Sequence, residues 1–227
     1  MKRIAILLAI SFGSISSAQA QRASIYDVLP DQWKDIKLGP FVSVGECLNT
    51  GNVAVGISTS PGFSFSAGAI ADLPLTQSIS FTLALGYDAR SVNFQQFNNS
   101  ATQVNYSFNY LAIRPEFLFN GFLIGVGIGL PLSSSASGAG TPTSPTNFGT
   151  SSLNTLFEIR LGGVFPITQW ATGGINFTIE GAYAFTQIVS SELTPNGATT
   201  TTAIAVNNGP LATGEIGIQY VFDFAPR

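Results

Sequence analysis

The residues able to do chemistry come in pairs two positions apart. Asp88 and Arg90, Arg114 and Glu116, and Glu158 and Arg160 each put an acid and an arginine on alternate residues. In an extended strand, alternate residues share a face. Each pair therefore presents a carboxylate and a guanidinium to the same side. Asp72, Glu180, Glu215 and Asp223 stand singly among apolar neighbours. Two carboxylates can perform acid–base chemistry when they flank a substrate, and Asp88 with Glu116 is the candidate pair. An ion network with Arg90 and Arg114 is the preferred reading of the same residues. The chain has no His, which removes imidazole as base or metal ligand. Cys47 is the only cysteine, so no intramolecular disulfide can form, and one Cys without His makes no zinc site. We expect no cofactor and no metal.

The elements that carry these residues alternate with period two. Ile79, Phe81, Leu83, Leu85 and Tyr87 are separated by Ser80, Thr82, Ala84 and Gly86. Phe122, Ile124, Val126, Ile128 and Leu130 enclose Gly125, Gly127 and Gly129. Ile216, Ile218, Tyr220 and Phe222 repeat the pattern near the end. Each strand thus has one bulky apolar face and one small or polar face. Only 9% of the 227 residues are charged, against 45% hydrophobic; an ordinary soluble domain carries about 25% charged residues. Bulky residues facing lipid and small or polar ones facing a narrow lumen fit these figures better than a soluble sandwich. Unpaired backbone is not tolerated in lipid, so the sheet must close on itself. The glycines of Gly125–Gly129 serve as space for lumen side chains. A nucleotide loop would need a helix after them, and none follows.

Eight strands are expected, at Leu38–Cys47, Gly62–Leu73, Gln77–Arg90, Val104–Phe119, Phe122–Leu132, Ser152–Phe165, Ile175–Ile188 and Leu211–Phe224. Short turns at Pro74–Thr76, Asn120-Gly121 and Pro166–Gly174 alternate with longer connections at Leu48–Pro61, Ser91–Gln103, Ser133–Ser151 and Val189–Pro210. Short turns on one side and long polar loops on the other match the periplasmic and extracellular ends of a bacterial barrel. Phe117, Phe119, Tyr183, Phe185, Tyr220 and Phe224 fall toward strand ends, where interface girdles form. Before the barrel, Met1-Lys2-Arg3, a short apolar run and Ala18-Gln19-Ala20 read as a cleaved signal peptide over residues 1–20. Residues 21–36 form a periplasmic lead-in, and residues 37–227 the barrel domain. Without Lys2 and Arg3 the chain has 9 − 2 = 7 basic and 12 acidic residues, a net negative charge that argues against nucleic acid.

With the strands placed, a family resemblance emerges. The hairpin over Gly62–Arg90, with Ala71-Asp72-Leu73-Pro74-Leu75 at its turn and Leu85-Gly86-Tyr87 in its second strand, carries part of it. Tyr110–Pro115 before the Asn-Gly turn and the terminal Gly217–Phe224 strand add to it. The chain resembles the small eight-stranded outer-membrane β-barrels of OmpA and OmpX architecture, and the porin-like outer-membrane β-barrel domain group common in Bacteroidetes-type bacteria. The resemblance implies an all-β, antiparallel, up-and-down transmembrane barrel in the bacterial outer membrane, in contact with lipid and delivered by the barrel assembly machinery. Ala225-Pro226-Arg227 after Phe224 departs from the usual aromatic ending. Barrel enzymes of this kind depend on a His, so the chain is expected not to be an enzyme.

Parity then directs Asp72, Asp88, Arg90, Arg114, Glu116, Glu158, Arg160, Glu180, Glu215 and Asp223 into the lumen. An arginine facing lipid near the midplane would cost about 2–4 kcal/mol. An eight-stranded barrel is just wide enough for its own side chains, which favours a packed network of paired charges. The alternative is a narrow aqueous path, because seven acids outnumber three arginines in this set. Functionally, we expect a monomeric structural or interaction barrel, with porin-like passage of small solutes as one form of that role. A surface adhesin or receptor acting through four long loops, with its ligand undetermined, is the second reading.

Overall fold

The computed structural model describes residues 36–223, apart from 52, 54, 97–98, 139–145, 171 and 190–208. The signal peptide, nearly all of the lead-in, and Phe224 lie outside the described residues. Among the described residues there are nine strands: β1 (Lys37–Asn49), β2 (Ile57–Pro74), β3 (Ile79–Gln96), β4 (Asn99–Phe119), β5 (Phe122–Gly138), β6 (Thr146–Phe148), β7 (Leu156–Trp170), β8 (Gly173–Ala184) and β9 (Leu211–Asp223). Eight of them form an antiparallel ring in the order β1-β2-β3-β4-β5-β7-β8-β9. β9 closes onto β1, with Val42 opposite Ile218 and Asn49 opposite Leu211. The short β6 pairs only with the loop-side end of β5.

The tight turns follow their chemistry. Asn120 (φ 49°) and Gly121 (φ 88°) both adopt positive φ, the conformation that two-residue hairpin turns require. At the β2–β3 turn, Thr76 Oγ1 accepts from the backbone N–H of Ser78 and Ile79. The segment Pro166–Gly174 is not a turn but the end of a hairpin: β7 runs to Trp170 and β8 starts at Gly173. The ladder skips a residue between Pro166 and Thr168, since proline has no N–H to donate.

The longer connections also need correction. Ser91–Gln103 reads as a loop from its polarity, yet β3 continues to Gln96 and β4 begins at Asn99. β5 likewise runs on to Gly138, within the expected Ser133–Ser151 loop. A tilted strand crosses a bilayer in about 9–11 residues, and β2–β5 have 17 to 21. Side-chain polarity shows where these strands leave the apolar zone. Over the ring, Leu83, Leu85, Tyr87, Leu111, Ile124, Val126, Ile159, Ile179, Ile216 and Ile218 are exposed on the outside. Farther along the same strands the pattern inverts. Asn93, Asn105 and Ser107 take the outer face, while Val92, Phe94, Val104, Tyr106 and Phe108 are buried inside. An apolar exterior suits lipid; an apolar interior with a polar exterior suits water. Aromatic clusters mark the opposite, turn-side rim: Phe81 with Phe117, Phe117 with Phe119, and Trp170 with Tyr220.

Candidate functional site: the barrel interior

The interior is filled in layers. Nearest the loop end is an apolar layer comprising Cys47, Val92, Phe94, Val104, Tyr106, Phe108, Tyr110, Leu153, Leu156, Ile188 and Leu211. Tyr106 meets Phe94 edge-on at 5.7 Å between ring centroids and stacks with Phe148 at 6.3 Å. Parity already placed Tyr106, Phe108 and Tyr110 on the same face as Arg114. Their bulk stands out on an inner face that is mostly small or polar elsewhere, and that inward bulk is the signal in the sequence for an apolar layer.

Beneath this layer lies one continuous charge network. Asp88 receives Arg90 Nη2 at 2.8 Å and Arg114 Nη2 at 3.0 Å. Arg90 Nη1 then crosses the lumen to Glu158 Oε2 at 2.7 Å. Arg160 occupies the centre of the other half. It reaches Glu158 Oε1 at 2.6 Å, Glu180 Oε2 at 2.5 Å, Glu116 Oε1 at 3.1 Å and Glu215 Oε2 at 4.0 Å. Five carboxylates thus share three guanidiniums.

Glu215 makes up for its distant arginine with hydroxyls. Ser43 Oγ donates to it at 2.7 Å and Ser64 Oγ at 3.0 Å, with Ser66 Oγ at 3.3 Å. These serines come from β1 and β2, so Glu215 on β9 is satisfied only because the ring closes there. Arg114 donates to Ser66 Oγ at 2.7 Å and lies over the Phe41 ring at 5.6 Å. Gly125 and Gly127 supply the room. A Cβ on Gly125 would lie 2.5 Å from Glu116 Cγ, and one on Gly127 would lie 2.4 Å from Glu158 Oε1.

Eight of the ten expected lumen charges are therefore brought together. Asp72 and Asp223 are not among them. Both stand opposite Lys37, on β2 and β9 respectively. They line a cavity of about 1430 Å³ at the turn end, where Lys37, Asn176, Trp170 and the lower edge of Glu180 also contribute. Asp72 and Asp223 differ from the other eight in height along the strand, since parity assigns a face but not a level.

The chemical capacity of this interior is limited. Asp88 and Glu116 are almost fully buried and engaged by arginine, so neither is placed to meet a substrate. Among the described residues, no cluster of three or more His, Cys, Asp or Glu could hold a metal ion. The arrangement instead cross-links β3, β4, β7, β8 and β9 through their inner faces. Buried charges of this kind are tolerated only when paired and hydrogen-bonded.

No protein-family model matches the sequence, and no curated protein sequence matches it. Solved structures similar to the chain include Neisserial surface protein A, at 10% identity over 82% of this chain and 96% of that one, with a TM-score of 0.41. Outer membrane protein AlkL is similar at 15% identity over 85% and 92%, TM-score 0.38. Outer membrane protein OprG from Pseudomonas aeruginosa is similar at 8% identity over 82% and 92%, TM-score 0.31.

Proposed function

We propose that the chain is an outer-membrane β-barrel with a sealed interior, acting as a structural and interaction protein at its outward rim rather than as a conducting pore. The apolar layer above the charge network is the observation that carries this reading. Water and ions cross a lumen along polar walls, and here Phe94, Tyr106, Phe108 and Leu156 occupy the section that solutes would have to pass. The exposed apolar belt supports a lipid surrounding, and closure within one chain leaves no strand edge in that lipid and no need for a second copy. In this reading the barrel assembly machinery receives the chain through its last strand, and the loop end faces outward.

The paired charges serve stability, and the excess of two carboxylates is absorbed by the serine hydroxyls and by Glu180 at the turn-end cavity. Purified, refolded protein in a planar bilayer tests the proposal. The expected record stays at the empty-bilayer baseline; reproducible conductance steps would overturn the sealed-barrel reading and restore porin-like passage. An adhesin role is separable by a loop-deletion variant. A variant that migrates as a folded, heat-modifiable barrel but no longer attaches to a host or ligand surface would establish it.

A further inference from the structure

We infer that the outer wall carries a saccharide-binding cleft at the boundary between the apolar belt and the water-facing extension, and that it takes a neutral pyranose unit from the head of an outer-leaflet glycolipid. The cleft has a volume of about 510 Å³ and is formed by Glu46 on β1, Pro61 and Phe63 on β2, Ser91 and Asn93 on β3, and Asn105 on β4. It lies beside a β-bulge, where the β2–β3 register shifts between Pro61 and Ser64. Bulges re-aim side chains and bend a strand away from its neighbour, which accounts for a concavity on an otherwise convex wall.

The chemistry at this position is specific. Glu46 faces outward between exposed Val44 and Leu48 and opposite exposed Phe63. No hydrogen bond or ion pair engages its carboxylate among the described residues. An outward acid this close to an apolar belt carries a cost that loop acids do not. Beside it is a ladder of amides. Asn93 Nδ2 donates to the Pro61 carbonyl at 2.7 Å, Asn105 Nδ2 donates to Asn93 Oδ1 at 2.8 Å, and Ser107 Oγ donates to Asn105 Oδ1 at 3.2 Å. These bonds hold the two carboxamides in fixed orientations. They use one of the two hydrogens on each NH₂ group, leaving the second hydrogen of each for a ligand.

The cleft thus offers a carboxylate acceptor, two oriented N–H donors and an exposed aromatic ring. A pyranose matches all three. Its adjacent hydroxyls both donate and accept, and the slightly positive C–H face of the ring lies against the negative face of an aromatic. No Lys or Arg lines the cleft, so a phosphate or a carboxylated sugar has no counter-charge there. Continuity with exposed Val44, Leu48 and Phe63 favours a sugar attached to a membrane lipid over one arriving free in solution. This inference rests on the loop end facing outward.

The test uses the full chain refolded in phospholipid nanodiscs, with folding verified by heat-modifiable migration. The probes are rough-type lipooligosaccharide, its delipidated core oligosaccharide, and lipid A without core sugars. Titration calorimetry is expected to detect the lipooligosaccharide and neither of the other two. Glu46→Ala and Asn105→Ala should each weaken that binding about tenfold, the loss expected for one charge-assisted or oriented hydrogen bond. Equal binding by wild type and both variants overturns the proposal. Lipid A carries its own phosphorylated pyranose pair, so comparable binding of lipid A overturns the assignment to a neutral core sugar, and comparable binding of the free core overturns the membrane-glycolipid assignment. Failure in any of these arms leaves the sealed-barrel reading intact, because conductance and heat-modifiability are read separately.

Discussion

Replacing Arg160 by Met removes the guanidinium at the centre of the interior network while keeping most of the side chain's length. Arg160 is the only ion-pair partner described for Glu116 at 3.1 Å and for Glu180 at 2.5 Å, and it shares Glu158 with Arg90. After the substitution five carboxylates face two guanidiniums; Glu116 and Glu180 have lost a close counter-ion, and Glu215 a more distant one at 4.0 Å that its serine hydroxyls partly replace. Breaking a buried pair from one side costs about 3–5 kcal/mol, because the remaining charge stays buried and uncompensated. Arg114→Met provides the internal comparison. It removes one ion pair to Asp88, which keeps Arg90, and one hydrogen bond to Ser66. Its expected cost is smaller, about 1–3 kcal/mol. The assay is a urea titration of each refolded variant in lipid vesicles, with the folded fraction read from unboiled gel migration. Arg160→Met combined with Glu180→Gln should recover about 0.5–3 kcal/mol as coupling between contacting groups. An Arg160→Met variant within about 0.5 kcal/mol of wild type, or an Arg114→Met variant that costs more, would refute a central role for Arg160.

The remaining predictions concern packing on the two faces of the wall. Gly127→Ala should destabilise the barrel by about 1–3 kcal/mol, because its Cβ would meet a Glu158 carboxylate held by two arginines. Gly214→Ala, whose Cβ would meet nothing within 4 Å, should be neutral within about 0.5 kcal/mol; equal effects in urea titrations would contradict the inward assignment of Gly127. Phe108→Ala should cost about 3–5 kcal/mol by opening a hole in the apolar layer, measured in the same titration. Cys47 is fully buried in that layer, so a maleimide should label it only after unfolding; rapid labelling of the folded barrel, followed by mass spectrometry, would show that the layer admits solvent.

Some of this architecture was legible residue by residue. Period-two alternation gave each strand two faces, and face alone was enough to turn Arg114 and Arg160 inward. Asn120-Gly121 announced a tight hairpin, since Asn and Gly tolerate positive φ at low cost. The glycines of Gly125–Gly129 announced crowding on the opposite side. The extent of the strands was less legible. Ser91–Gln103 is rich in Ser, Asn and Gln and looks like a loop, but its Val92 and Phe94 alternate with polar residues and continue the period of two of the preceding strand. Read in that way, Ser91–Gln96 extends β3 and Asn99–Gln103 opens β4, with the polarity of the faces inverted on entering water.

Local pattern therefore determined the class of fold, the direction of each charged side chain and the two chemical faces of the wall, because these depend on backbone period alone. Tertiary structure decided which charges meet. Arg90 on β3 finds Glu158 on β7 across the lumen, and Glu215 on β9 finds serines on β1 and β2, only after the ring has closed with a particular stagger between strands. That stagger sets the height of every residue along the barrel, and no spacing within a single strand encodes it. For the same reason Asp72 and Asp223, with inward parity, ended at the turn-side mouth beside Lys37 rather than in the network.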